Sequence, residues 1–195
     1  MKTIAVHPWP GPAPTPDDGV VVIGVRYQDS TPRVIQRETI RQAAREVLAS
    51  LTGEPAGCFG IHSDPGRPLY VMVQGHDSDI GCSLSHEFGW SLAAINLHGP
   101  VGVDVMDVDD KADWDAVSRD FLGPETTAML RAAPFELRAR RFAQAWARHE
   151  ALLKCAGLPL VEWSEAPPAA NIAMLDMSGF GEHDTPQGAV AYRAP

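Results

Sequence analysis

The chain is short of several things, and each shortage excludes a class of protein. It has only three cysteines in 195 residues, Cys58, Cys82 and Cys155, far apart and in no CxxC spacing. Neither a disulfide framework nor a zinc site is indicated, and buried reduced thiols are expected. Basic residues are scarce: 16 Lys+Arg stand against 25 Asp+Glu, a formal charge of −9. A protein that neutralises nucleic-acid phosphates ordinarily carries the opposite surplus, so no nucleic-acid partner is expected and any basic recognition surface must be local. No uncharged apolar run reaches the roughly 18 residues of a transmembrane helix, so no membrane association is expected. Pro8, Pro10, Pro12, Pro14 and Pro16 interrupt the apolar stretch that a signal peptide requires, which points to a cytoplasmic protein. There is no GxSxG, Walker loop, HExxH or dinucleotide glycine fingerprint. The run from Asp107 to Lys111 begins like a calcium loop, but it places Lys111 at the fifth position and Ala112 where the loop needs glycine.

What is present reads as a soluble globular protein: 45% hydrophobic and 21% charged residues, in a chain long enough to bury its own core. Residues 1–18 form a proline-rich arm ending in Asp17-Asp18-Gly19. Val20 to Tyr27 is β-branched and strand-like, and Pro32 to Leu51 then has helical periodicity and stops at Gly53. Short strands are expected at Phe59–Ile61, Leu69–Val73, Ile80–Leu84, Trp90–Leu97 and Val101–Met106. Helices are expected at Trp114–Phe121, Pro124–Ala133 and Pro134–Ala156, the last closed by Gly157. Strands at Leu160–Trp163, Ile172–Met177 and Ala189–Tyr192 complete the pattern. The order strand, helix, strands thus runs twice. It predicts an α+β protein of two similar lobes, each a small antiparallel sheet on a long helix. The N-terminal lobe spans 19–100 and the C-terminal lobe 101–195, with a ligand cleft between them.

Three short segments carry the candidate chemistry. On the strand Gly102 to Met106, period-two geometry puts Asp104 and Met106 on one face and Val103 and Val105 on the other. A carboxylate among buried valines needs a partner, so Asp104 is either a ligand or a strand-end turn residue. On the last helix Trp146, Glu150 and Lys154 recur at i, i+4 and i+8 and share one stripe. That stripe is either a site or a solvated Glu-Lys pair beside a core tryptophan. Ser85-His86, at a strand end, is an anion-binding or proton-handling pair, or a hydrogen-bonded surface histidine.

Taken in order, these pieces resemble the 4′-phosphopantetheinyl transferase superfamily, particularly the pseudo-dimeric type that activates peptide and polyketide synthases. Gly66-Arg67-Pro68 is similar to that family's Gly-Lys-Pro element, and Cys82-Ser83-Leu84-Ser85-His86 to its Phe-Asn-x-Ser-His strand end. Gly102-Val103-Asp104-Val105 is similar to its Gly-Ile-Asp-Ile strand, and Trp146 to Lys154 to its Trp-x-x-Lys-Glu-Ala-x-x-Lys helix. The resemblance covers about residues 66 to 157. It implies Mg²⁺-dependent transfer of the phosphopantetheine arm of coenzyme A to a serine of an acyl or peptidyl carrier protein, with release of adenosine 3′,5′-bisphosphate, as in a holo-acyl-carrier-protein synthase. Carried over by position, Asp104 and Glu150 would ligate the metal, and Lys154 and His86 would contact the diphosphate, with Ser85 beside them. Arg67 and Pro68 would bind the nucleotide end, and Glu150 would serve as general base, with Lys154 completing the catalytic pair. A monomer is expected, since both sides of the cleft come from one chain.

Three positions depart from that pattern. Met106 stands where the family commonly has an acid two residues after the strand aspartate, and Mg²⁺ does not choose a thioether over water. His149 replaces the helix lysine before the glutamate, and Glu87 replaces a small residue after Ser-His. Glu87 is a candidate for supplying the missing carboxylate from the neighbouring strand end. The same departures also fit a weakened or inactive relative that binds coenzyme A or a carrier without transfer. Two basic stripes remain. Arg33, Arg37, Arg41 and Arg45 recur every four residues on the first helix and either reach the 3′-phosphate of coenzyme A or form a surface ridge. Arg131, Arg138, Arg140, Arg141 and Arg148, interleaved with Phe135 and Leu137, form either a docking edge for an acidic carrier or a solvated helix face.

Overall fold

The computed structural model describes residues 2–28, 30–64, 67–87, 89–164, 171–179 and 186–194. It is a mixed α+β protein. In chain order the elements are β1 (Thr3–Pro8), β2 (Val20–Arg26), α1 (Arg33–Thr52), β3 (Phe59–His62), β4 (Tyr70–Val73), β5 (His76–Asp77), β6 (Gly81–Glu87) and β7 (Trp90–Asn96). There follow β8 (Val101–Met106), α2 (Trp114–Val117), α3 (Gly123–Arg131), α4 (Phe135–Ala156), β9 (Ile172–Ser178) and β10 (Gln187–Arg193). Among the described residues no helix is long and apolar enough to cross a membrane.

The two long helices have matching signals at both ends. Pro32 and Pro134 precede α1 and α4, where a missing N–H is no loss. Gly53 and Gly157 close them in the left-handed conformation, at φ of 79° and 68°. Between these ends α1 turns Ile40, Ala43, Ala44, Val47 and Leu48 inward against Val21, Ile23 and Val25 of β2. The other face of β2, with Val20 and Val22, joins Ile4, Val6, Leu92, Val103, Leu175 and Val190 in a second core. A strand buried on both faces has to be an unbroken apolar run, as Val-Val-Val-Ile-Gly-Val is.

Seven strands pair in the order β6-β7-β2-β1-β9-β10-β8, and β3-β4-β5 form a small separate sheet. Thus β7 runs antiparallel to β2 and to β6, and β10 antiparallel to β8 and to β9. β1 joins the two groups. Its first half pairs parallel with β9 (Ile4 opposite Met177), and its second half pairs parallel with β2 (Val6 opposite Val22). The two ends of the series also meet: the hydroxyls of Ser83 and Ser85 on β6 accept the backbone N–H groups of Val103 and Val105 on β8 at 3.1 and 3.3 Å.

Three local expectations need correction. Thr3–Pro8, inside the proline-rich arm, is a strand, because Ile4 and Val6 fill the second core while the strand bonds to a neighbour on each side. Leu160–Trp163 is not a strand. Leu160, Val161 and Trp163 are about half exposed, and Trp163 N–H bonds only to the Asp120 carbonyl. The helix expected from Trp114 to Phe121 changes character at Ser118, where a π-helical turn runs to Leu122.

Candidate active site

β8 offers alternate residues to α4. Gly102 lies so close to that helix that a Cβ there would land on the Ala151 carbonyl oxygen. By the strand period Asp104 and Met106 occupy the same face. The close approach at Gly102 brings the last turns of α4 over Asp104. Lys154 Nζ lies 2.7 Å from Asp104 Oδ1 and 3.1 Å from the Val103 carbonyl, and Glu150 Oε2 lies 4.0 Å from the same nitrogen. From the other side β6 contributes Ser85, whose hydroxyl donates to Asp104 Oδ1 at 2.8 Å. Residues from β6, β8 and α4 therefore converge on one point.

The electrostatics follow from burial. Asp104 has a side chain only 10% exposed, and it is held there by Lys154 and Ser85. Glu150 is pushed up from its ordinary carboxylate range by burial first and then by the negative charge of Asp104, with Lys154 pulling the other way. Two carboxylates thus share one lysine. They are hard oxygen donors at a cleft edge, which suits a cation such as Mg²⁺ that takes one or two protein carboxylates and fills its remaining positions with water and phosphate oxygens. Among the described residues no group of three or more His, Cys, Asp and Glu is arranged to hold a metal. Glu87 falls on the Ser83 and Ser85 face of β6, one step beyond Ser85 towards the Met106 end of β8.

Beside this point opens a cleft of about 760 Å³ lined by α1, β6, the start of β8, the end of α4 and the segment after it. Arg37, Arg41, Arg67 and Lys154 face it, with Pro68 and His86. The arginine stripe on α1 is divided: Arg37 and Arg41 turn to the cleft, while Arg45 pairs with Glu38 at 2.8 Å. Arg67 lies over the Tyr70 ring at 3.5 Å and bonds Asp77 at 3.1 Å. Gly66, the first residue of its motif, lies outside the described residues. His86 Nδ1 is 2.6 Å from the Ser91 hydroxyl, which leaves Nε2 as the ring nitrogen for a ligand. Burial, then the charges of Arg33, Arg37, Arg41 and Lys154, push His86 down to about 4, so the imidazole is neutral at pH 7.

His149 lies away from this cleft. Its ring centroid is 6.1 Å from that of Trp146, its Nε2 is buried with no hydrogen-bond partner among the described residues, and burial lowers its pKa. The second basic stripe also divides. Arg148 is bound to Asp176 by contacts of 2.8 and 2.6 Å, Arg131 to Asp115 by contacts of 2.6 and 2.8 Å, and Arg138 to the Leu130 and Ala133 carbonyls and over the Trp114 ring. Arg140 and Arg141 are exposed, near the exposed Phe135 and Leu137. Sequence reasoning gave Ser83 no role. Its alternation with Ser85 was the available signal, because both hydroxyls bridge the same gap.

Residues 100–179, which include Asp104, Glu150 and Lys154, match the family model described as the 4′-phosphopantetheinyl transferase superfamily. The 4′-phosphopantetheinyl transferase HetI of Nostoc sp. is 27% identical over 120 residues, which are 59% of this chain and 50% of HetI. The chain spans about half the length of that relative. The strand aspartate and the Glu-Ala-x-x-Lys helix meet within the matched span, so this part of the chain is similar to the 4′-phosphopantetheinyl transferase superfamily.

Proposed function

We propose that the protein transfers the 4′-phosphopantetheine arm of coenzyme A to a serine hydroxyl of an acyl or peptidyl carrier protein, with Mg²⁺ as cofactor. The observation that carries this reading is the convergence of Asp104, Glu150, Lys154 and Ser85 at the edge of a cleft lined by Arg37, Arg41, Arg67 and His86. In the transfer a phosphorus–oxygen bond forms to the serine, the diphosphate bridge breaks, and adenosine 3′,5′-bisphosphate leaves. The charge that gathers on the leaving phosphate needs fixed cations in a partly dry site. Lys154, Arg37 and Arg41 supply them, and neutral His86 adds a hydrogen bond through Nε2. Asp104 and Glu150 would hold the metal, which when bound neutralises diphosphate oxygens. Glu150, whose carboxylate is already pushed towards protonation, accepts the serine proton directly or through a water. Arg67 and Pro68 line the part of the cleft that takes the nucleotide end.

The architecture supports the pseudo-dimeric type. β2-α1-β6-β7 and β8-α4-β9-β10 repeat one order of elements, and we read them as two lobes of a duplicated unit that supply both walls of the cleft in a cytoplasmic monomer. An acidic carrier would meet Arg140 and Arg141 beside Phe135, Leu137 and Met129, the last three being exposed apolar side chains. One observation favours a second reading, a relative that binds coenzyme A or a carrier without transfer: the two-carboxylate donor set with Met106 on its face.

The test is the mass of an apo carrier incubated with the protein, coenzyme A and Mg²⁺. A gain of one phosphopantetheine unit is expected. Tight coenzyme A binding with no gain would establish the second reading instead. Glu150→Gln should lower turnover by about 100-fold or more while changing coenzyme A affinity measured without Mg²⁺ by less than about threefold; undiminished turnover would remove Glu150 from both of its roles.

A further inference from the structure

We propose that Lys154 is an exchangeable internal cation. Its ammonium neutralises the Asp104 carboxylate that a divalent ion would use, and it moves away when a diphosphate occupies the cleft. This rests on the metal and coenzyme A reading above and adds to it an order of events: substrate first, metal ion with it or after it.

Geometry carries the inference. Nζ lies 2.7 Å from Asp104 Oδ1 and 3.1 Å from the Val103 carbonyl, so in the free protein it serves as counter-ion to an almost fully buried carboxylate. That role has to be filled, because a lone carboxylate in such a place is strongly unfavourable. A dication on either oxygen of that carboxylate would be repelled by an ammonium held at hydrogen-bond distance from Oδ1. Asp104 cannot serve both in full. Glu150 shows that the lysine neutralises the pair incompletely, since its Oε2 stands 4.0 Å from Nζ, beyond hydrogen-bonding distance.

The lysine also has somewhere to go. Its side chain is 32% exposed against 10% for Asp104, and it lines the same cleft as Arg37, Arg41 and Arg67. A flexible four-carbon stem carries Nζ from Asp104 towards an anion bound among those arginines. Once the diphosphate has taken the ammonium, Asp104 and Glu150 are left as an unneutralised pair facing phosphate oxygens, the setting in which Mg²⁺ binds well. Coupling between the two ligands is reciprocal, so coenzyme A raises Mg²⁺ affinity by the factor by which Mg²⁺ raises coenzyme A affinity.

Two measurements on the full chain test this. Calorimetric titration with Mg²⁺ alone, in the absence of coenzyme A, should find Lys154→Met binding at least tenfold more tightly than the wild type, with Asp104→Asn abolishing binding. Because Lys154→Met leaves a buried Asp104 carboxylate without its counter-ion, at a cost to the fold, the second measurement uses the wild type. The only lysines are at 2, 111 and 154, so the ¹⁵N-labelled ammonium signal of Lys154 is readily assigned. It should be retained in the free protein and shift when coenzyme A and Mg²⁺ are added together. A signal unmoved at saturation, or a Lys154→Met that binds Mg²⁺ no more tightly, overturns the exchange while leaving the metal site standing. Absence of Mg²⁺ binding in every form, with or without coenzyme A, overturns the metal site itself and the exchange with it.

Discussion

The molecule has two junctions between its strand groups, and they are closed by different means. Between β2 and β9 the gap is filled by β1, which bonds to one neighbour with each half of its length and buries Ile4 and Val6 in the core beneath. Between β8 and β6 no strand intervenes among the described residues, and Ser83 and Ser85 hydroxyls bridge directly to β8 backbone. The difference extends to the strands themselves. Facing its helix, β2 presents Val21, Ile23 and Val25, whereas β8 presents Gly102, Asp104 and Met106. One junction is built for stability; at the other, apolar packing gives way to a buried carboxylate, a lysine and a cleft.

The largest effect should come from breaking the sealed junction. Val6→Asp puts a charge between β2 and β9 with no partner, and it should cost about 3 kcal/mol or more. Thermal unfolding would show the loss, with activity per folded molecule nearly unchanged. A Val6→Asp protein as stable as the wild type would mean that β1 is not part of the core.

A sharper contrast sets Gly102 against Gly24. A methyl at Gly102 would strike the Ala151 carbonyl and come close to the Cys155 nitrogen, both backbone atoms of α4, which cannot turn aside. At Gly24 the nearest atoms are a Val6 methyl at 2.7 Å and a Leu92 methyl at 3.2 Å, each at the end of a side chain. Gly102→Ala should therefore cost about 2–3 kcal/mol and disturb Asp104 and Lys154, whereas Gly24→Ala should cost about 1 kcal/mol and leave coenzyme A binding intact. Equal losses would show that α4 gives way as readily as a side chain.

These contrasts also explain what was legible in the sequence. β2, α1 and α4 were readable because an unbroken β-branched run and two helices bounded by proline and glycine are local patterns. The strand alternation placed Asp104, and the i, i+4 spacing placed Glu150 and Lys154 on one stripe; both are distances along one element. β1 escaped because its pairing lies with residues far along the chain, on β2 and β9, while the prolines after it dominate the local pattern. Leu160–Trp163 misled because an apolar run resembles a strand whether or not a neighbour exists to pair with it. Arg148 looked like part of a basic surface because its partner, Asp176, comes 28 residues later on β9. Interactions between distant elements have no periodicity to betray them.

A smaller effect separates the two serines of the open junction. Ser83 gives β8 one acceptor, for Val103 N–H, whereas Ser85 both accepts from Val105 N–H and donates to Asp104. Ser83→Ala should cost about 1 kcal/mol, and Ser85→Ala about 2 kcal/mol, because its loss also strips a buried carboxylate of a donor. Only Ser85→Ala should alter transfer, through the position of Asp104, and a matched loss of transfer in both would contradict a direct role for Ser85.

The effect most specific to the open junction, and one that appears only on acidification, is a pH dependence of stability. Burial and the charges of Arg33, Arg37, Arg41 and Lys154 push the His86 pKa down to about 4, from an ordinary value of 6.5. The unfolded chain takes up this proton near pH 6.5, and the folded one only near 4. Between those values the unfolded state binds more protons, so His86 makes stability fall as pH drops through the window and adds no slope outside it. His86→Gln keeps a polar side chain without that ionisation, and its melting temperature should fall less than that of the wild type between pH 6.5 and 4; parallel curves would mean that His86 is not held neutral. Coenzyme A offers a second check on the same cause. A diphosphate among Arg37, Arg41 and Lys154 offsets the positive potential that disfavours the imidazolium, so at saturation the His86 pKa should rise and the slope attributable to it should shrink.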